Sequence, residues 1–138
     1  MVAARVSGRV APLSTVFPWW YLAGAVVTMV VVLSAGGQAA AAIGWGPLIG
    51  LVIQDRRKAA RTRADEGLPV RRRDLGDGWG EPVTALLLTL VFTGLGLVLH
   101  ALFAGPMGVA LWTGLGLIVT GGAAYAALLL APRRRPRA

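Results

Sequence analysis

His100 is the one ionisable side chain set inside a long apolar stretch of this 138-residue chain. An imidazole in such a place is the first candidate for proton transfer or metal binding. Either chemistry needs companions. Zinc takes several N, S or O ligands, yet the chain has one His and no Cys. A general base needs a positioned partner, and no Asp or Glu occurs in 17–53 or 82–132. At helical rise His100 should also lie about 6 Å from the outer end of its segment, within reach of interfacial water.

A second candidate is Gly76-Asp77-Gly78-Trp79-Gly80. Glycines before a helix can cradle phosphate, but the Lys-Ser/Thr ending and the preceding strand of a P-loop are missing. The run reads as a flexible re-entry to the next apolar segment. Third comes a basic cluster: Arg56, Arg57, Lys58, Arg61, Arg63, Arg71, Arg72 and Arg73. All six acids of the chain share residues 54–81 with these eight cations, leaving +2 there. Nucleic-acid binding calls for a larger unshielded patch with side chains that read or stack bases, and Trp79 is the only aromatic in the loop. Each cation held near an anionic bilayer is worth about 1 kcal/mol, so lipid headgroups, or a soluble partner, are the expected contacts of this cluster. No catalytic pair, metal set or cofactor motif converges, and the expectation is a non-enzyme with no catalytic, cofactor or metal residues.

The elements that hold these residues follow from where charge is absent. Hydrophobic residues make up 56% of the chain and charged ones 14%, against roughly 45–50% and about 25% in soluble domains. That balance excludes a soluble sphere and, equally, a disordered chain. Residues 17–53 and 82–132 contain no Asp, Glu, Lys or Arg. About 20 helical residues cross a hydrocarbon core of about 30 Å, so each block is long enough for two crossings. Breaks are expected at Ser34-Ala35-Gly36-Gly37-Gln38 and Ala104-Gly105-Pro106-Met107-Gly108, where Gly and Pro punctuate.

The predicted fold is therefore an all-α membrane protein of four transmembrane helices, near 17–35, 38–54, 82–103 and 108–131, arranged as two antiparallel hairpins. The divisions are a cytoplasmic segment 1–16, a first hairpin 17–53, a basic loop 54–81, a second hairpin 82–131 and a basic tail 132–138. The excess of Lys and Arg in all three connecting and terminal segments places both termini and the loop in the cytoplasm of a multi-pass protein of the cell membrane. A signal peptide cleaved within the small-residue stretch Ser34-Ala35-Gly36-Gly37-Gln38-Ala39-Ala40 is the alternative for the first span, but its length and aromatic edge favour retention.

Within the spans, Trp19, Trp20 and Tyr21 open the first and Trp79 precedes the third, as expected of rings that anchor at headgroup level. The second span is short and carries Pro47, so a kinked or re-entrant segment is open; Gly46 and Gly50 form a GxxxG pair. Its helix should run on past the membrane to Glu66, with Arg61 and Asp65 at i,i+4 spacing, and stop at Gly67 and Pro69. Thr89, Thr93, Gly96 and His100 share a stripe on the third span. Thr113, Gly116 and Thr120, with Ala123 and Ala127, share one on the fourth. These stripes suit packing of the second hairpin or docking onto a partner.

The function expected first is a non-enzymatic accessory or scaffold subunit, bound to another membrane protein or a second copy. An oligomeric, holin-like pore or small transporter is the alternative. The chain lacks the membrane-buried carboxylate of small four-span multidrug exporters, and its charge bias does not suit a dual-topology channel. A membrane component of DNA transfer, using the basic loop, comes third. Thirteen Arg to one Lys and no Asn match the residue usage of GC-rich bacterial genes.

Overall fold

The computed structural model describes residues 11–36, 42–75, 78–103 and 108–131. Residues 1–10, 37–41, 76–77, 104–107 and 132–138, and with them Asp77 and the basic tail, lie outside the described residues. Every regular element described is helical: α1 (Leu13–Val16), α2 (Trp19–Ser34), α3 (Ala42–Asp65), a single 3-10 turn (Arg72–Asp74), α4 (Gly80–Phe103) and α5 (Val109–Leu130).

Prolines and glycines set the boundaries. Pro18 caps α2 at its start, where a missing amide costs little. Gly36 takes a φ of +81° just past the end of α2, and its N–H donates to Leu33 O at 2.9 Å. α3 continues unbroken through Pro47 and from its apolar half into its charged half. It ends in a Schellman motif: Gly67 has φ +70°, the Leu68 N–H donates to Arg63 O at 2.9 Å and the Gly67 N–H to Ala64 O at 3.1 Å. Glycine accepts this left-handed conformation without the steric cost of a Cβ, and this stop falls where the sequence placed it. The i,i+4 partnership expected of Arg61 and Asp65 is not among the ion pairs of the described residues; the ordered pair formed by this part of α3 is Arg63 with Asp74.

Contacts between helices fix their directions. Gly24 meets Thr89, Thr28 meets Thr93 and Gly36 meets His100, a nearly constant offset that makes α2 and α4 parallel. Trp45 meets Phe92 and Arg56 meets Glu81, so α3 runs antiparallel to α4. Gly94 meets Gly114, while Gly121 meets Leu87, Leu90 and Val91, so α5 is antiparallel to α4 as well. The four long helices thus alternate up and down. Two of them, α4 and α5, are long and apolar enough to cross a membrane. α2 is apolar but has 16 residues, about 24 Å at helical rise.

Two packing devices hold the bundle. At the α4–α5 crossing a Cβ on Gly94 would sit 2.6 Å from Gly114 O, and one on Gly114 would sit 2.7 Å from Gly94 O. Only glycine permits this approach, and the backbones gain dispersion contact from it. Between α2, α3 and α4 the filler is Trp45, 1% exposed. Its ring lies 4.9 Å from Phe92 and 6.4 Å from Tyr21 between centroids, and Gly24 and Gly44 make room for the two rings. The buried indole N–H donates to Thr28 Oγ1 at 3.3 Å, the Thr93 hydroxyl donates to the same oxygen at 3.1 Å, and Thr89 donates to Ala85 O at 2.7 Å. The buried Trp45, Thr28, Thr89 and Thr93 groups are thereby paired, as a low-dielectric interior requires.

Gly114→Leu should lower the stability of the detergent-solubilised protein by about 1–3 kcal/mol, the cost of forcing volume into a closed contact. Gly116→Leu should leave it almost unchanged, since a Cβ at Gly116 meets nothing within 4 Å. Thermal unfolding followed by circular dichroism separates the two; equal losses would place the α4–α5 seam on the wrong face.

Candidate functional site

Charge gathers at the end of the bundle where α3 leaves its apolar half and α4 begins. Arg56 lies one turn beyond Val52 on α3, and Glu81 is the second residue of α4. The helix N-terminus favours an anion at that position. Arg56 Nη2 and Glu81 Oε2 are 2.6 Å apart, with side chains only 6% and 12% exposed. The second oxygen, Glu81 Oε1, is buried without a hydrogen-bond partner among the described residues. Beside the pair is a cavity of about 380 Å³, lined among others by Tyr21, Asp55, Leu75 and Thr84. A buried pair repays its desolvation fully only where its remaining lone pairs are also satisfied, which Glu81 Oε1 is not; the pair ties the middle of α3 to the start of α4.

The loop after α3 folds back on itself. Arg63 donates from Nε and Nη2 to Pro69 O, both at 3.3 Å, and its Nη2 lies 3.7 Å from Asp74 Oδ2. This clamp holds the 3-10 turn so that Arg72 sits over Trp19, 5.9 Å from the ring centroid, in cation–π range. Trp19 in turn stacks obliquely on Phe17 at 4.8 Å. A cleft of about 610 Å³ opens there, lined by Trp19, Trp20, Ala23, Arg72, Arg73, Gly78 and Glu81.

The eight loop cations therefore divide into two groups. Arg56, read from sequence as facing lipid or a partner, is instead drawn inward, because Glu81 offers it a carboxylate at a largely buried position. Arg63 is spent on the loop clamp. Arg57, Lys58, Arg61, Arg71, Arg72 and Arg73 remain exposed. Trp19, Trp20 and Trp79 are exposed at this same end, Trp79 at 87%, while Tyr21 is half-buried against Trp45.

The small-residue stripes divide as well. Thr89, Thr93 and Gly96 are buried on α4, the two threonines against α2. Thr113, Gly116 and Thr120 are exposed on α5, and neither Gly46 nor Gly50 has a neighbour within 4 Å of a built Cβ. As packing positions inside this chain these five are superseded by Gly94, Gly114 and Gly121. Spacing defines a face, but Gly114 and Gly121 form a second seven-residue row, and the closer backbone approach at Gly94 decides between the rows. Thr28, Trp45 and Glu81 were also missed. Thr28, with Gly24 and Val32 at four-residue steps, was a legible polar stripe; the Arg56–Glu81 pairing had no local signal.

His100 is half-buried beside Gly36, with Nδ1 enclosed and unpartnered among the described residues. No group of three or more His, Asp or Glu able to hold a metal occurs among the described residues. Comparison with known protein families, curated proteins and solved structures finds no match.

Glu81→Gln should destabilise the bundle by about 3–5 kcal/mol, the usual consequence of leaving one buried charge unpaired. The exchange Arg56→Glu with Glu81→Arg should recover part of the loss. Denaturant unfolding of the wild type and the two variants checks this; a neutral Glu81→Gln would mean that Arg56 reaches solvent instead.

Proposed function

We propose that this chain is a small integral membrane protein of the cytoplasmic membrane, with four crossings and both termini and the basic loop inside. In this role it is a non-enzymatic accessory or scaffold subunit whose free helix faces dock another membrane protein or a second copy. The observation that carries the reading is the state of α5. This helix is apolar enough to span, yet only 11% of its most apolar window is buried, against 28% for α4. Its Thr113, Gly116 and Thr120 stripe is unused within the chain and faces outward. Small residues on a free helix face allow close approach of a partner helix in lipid, where packing and hydrogen bonds drive association.

The orientation rests on the placement of Lys and Arg, and the helix directions agree with it: α2 and α4 run one way, α3 and α5 the other, which brings the two ends of the 54–81 loop to one side. A pore built from several copies is the second reading, and the same α5 face would serve it. A conduit through a single chain is disfavoured by the Trp45–Phe92 filling between α2, α3 and α4. The nucleic-acid reading loses weight because Arg56 and Arg63 are engaged within the chain and Arg72 lies on Trp19.

Gly116→Leu should abolish co-purification of a partner, or of a second tagged copy, from mild detergent extracts while leaving helix content intact. Gly50→Leu tests the α3 face in the same way. Association that survives both changes contradicts docking through these faces. Protein reconstituted into liposomes should not raise dye leakage; a concentration-dependent leak would favour the pore.

A further inference from the structure

We infer that the cleft between α2 and the 3-10 turn is a binding site for the phosphodiester headgroup of an anionic phospholipid. The inference deepens the proposed membrane function and rests on it. Three observations converge on this cleft. First, two guanidinium groups border it, Arg72 and Arg73, on a turn whose position is fixed by the Arg63 clamp to Pro69 and Asp74. Forked guanidinium donors match phosphate oxygens in geometry as well as charge.

Second, the carboxylates described beside the cleft, Glu81 and Asp74, each hold an ion pair, Glu81 through one of its two oxygens. Glu81 is held by Arg56 at 2.6 Å. Asp74 is shared between Arg63 at 3.7 Å and Arg73 Nε at 4.0 Å, the longer and more exposed of the two contacts. Arg71 and Arg72 have no carboxylate within ion-pair distance among the described residues. Among the described residues the cleft is therefore left with positive charge in excess, on a loop whose overall balance is nearly even.

Third, the cleft is amphipathic along the axis a lipid would follow. Trp19 and Trp20 line it, 45% and 53% exposed, together with the apolar Ala23. Beyond Ala23 the outward face of α2 continues as Val26, Val27 and Val30, each more than half exposed. A headgroup seated between the arginines places its acyl chains on this face, with the indoles at the boundary where such rings prefer to lie. A free phosphate would satisfy the arginines and leave the apolar track uncovered.

The test is native mass spectrometry of the full chain released from detergent, after titration with phosphatidylglycerol, phosphatidylcholine of the same acyl length, or inorganic phosphate. The wild type should retain phosphatidylglycerol adducts in preference to phosphatidylcholine, and inorganic phosphate should not displace them. Arg72→Ala with Arg73→Ala should lower the phosphatidylglycerol adduct at least fivefold. Arg57→Ala with Lys58→Ala, which removes the same charge from the exposed flank of α3, should change it less than twofold. If the alanine pair disturbs helix content, Arg72→Lys with Arg73→Lys keeps the charge and should still lower retention at least twofold. Equal losses in the two alanine pairs would show diffuse attraction and overturn the site, as would full displacement by inorganic phosphate or indifference to headgroup. A chain that stays in solution when membranes are removed fails the membrane function itself, a separate and earlier result.

Discussion

A bundle whose outer faces are as apolar as its interior cannot be arranged by sorting greasy residues inward. Trp112, Val119 and Leu130 of α5 are 73%, 67% and 84% exposed, and Val30 of α2 is 58% exposed, while Thr28, Thr89 and Thr93 are buried. With little hydrophobic difference between inside and outside, close backbone approach and internal hydrogen bonds must choose which faces meet. The two devices observed fit that demand. Gly94 against Gly114 brings α5 to α4, and the Trp45–Thr28–Thr93 hydrogen bonds bring α3, α2 and α4 to one another. The parallel run of α2 with α4 follows, because Gly24 with Thr89 and Thr28 with Thr93 are contacts one helical turn apart on both helices.

Electrostatics takes over at the end of the bundle. The Arg56–Glu81 pair joins two helices that otherwise meet through aromatic rings, and it lies at the level where α3 turns from apolar to charged. Placing it there uses the dipole of α4 and the shelter of neighbouring side chains, and it shares Glu81 between two clefts, one facing Tyr21 and one facing Trp19. The loop beyond is ordered by one residue above all. Arg63 holds both a carbonyl and a carboxylate six to eleven residues on, and this return sets Arg72 and Arg73 beside the start of α2. The tryptophans and arginines at this end form one surface as a result.

Helix class, the two Gly/Pro breaks bounding α2 and α4, and the stop at Gly67 were all legible in the sequence, because charge gaps and backbone punctuation are local signals. The continuation of α3 into its charged half was legible for the same reason: nothing between Gln54 and Asp65 breaks a helix. Helix lengths were less so. The third apolar segment has the expected extent, but α2 begins only at Trp19 and ends at Ser34, short of the span read from 17–35. Partner choice between helices was the least legible. Thr113, Gly116 and Thr120 have the same small-residue character as Gly114 and Gly121, and a single sequence does not say which row turns toward α4. Likewise, Arg56 could not be told from Arg57 by composition. It takes α4 passing alongside to bring Glu81 within reach of one and leave the other exposed.

What covers the apolar faces can be measured directly, because the chain has no cysteine and a single introduced thiol reports alone. The decisive comparison is the rate at which a water-soluble, membrane-impermeant maleimide labels Val119→Cys on α5 and Arg61→Cys on α3 in inverted membrane vesicles. With lipid as the solvent of α5, position 61 should label rapidly and position 119 should remain unlabelled until the membrane is dissolved and the chain denatured. Equal labelling of both positions in intact vesicles would mean that water reaches the exposed face of α5, and the account would be wrong.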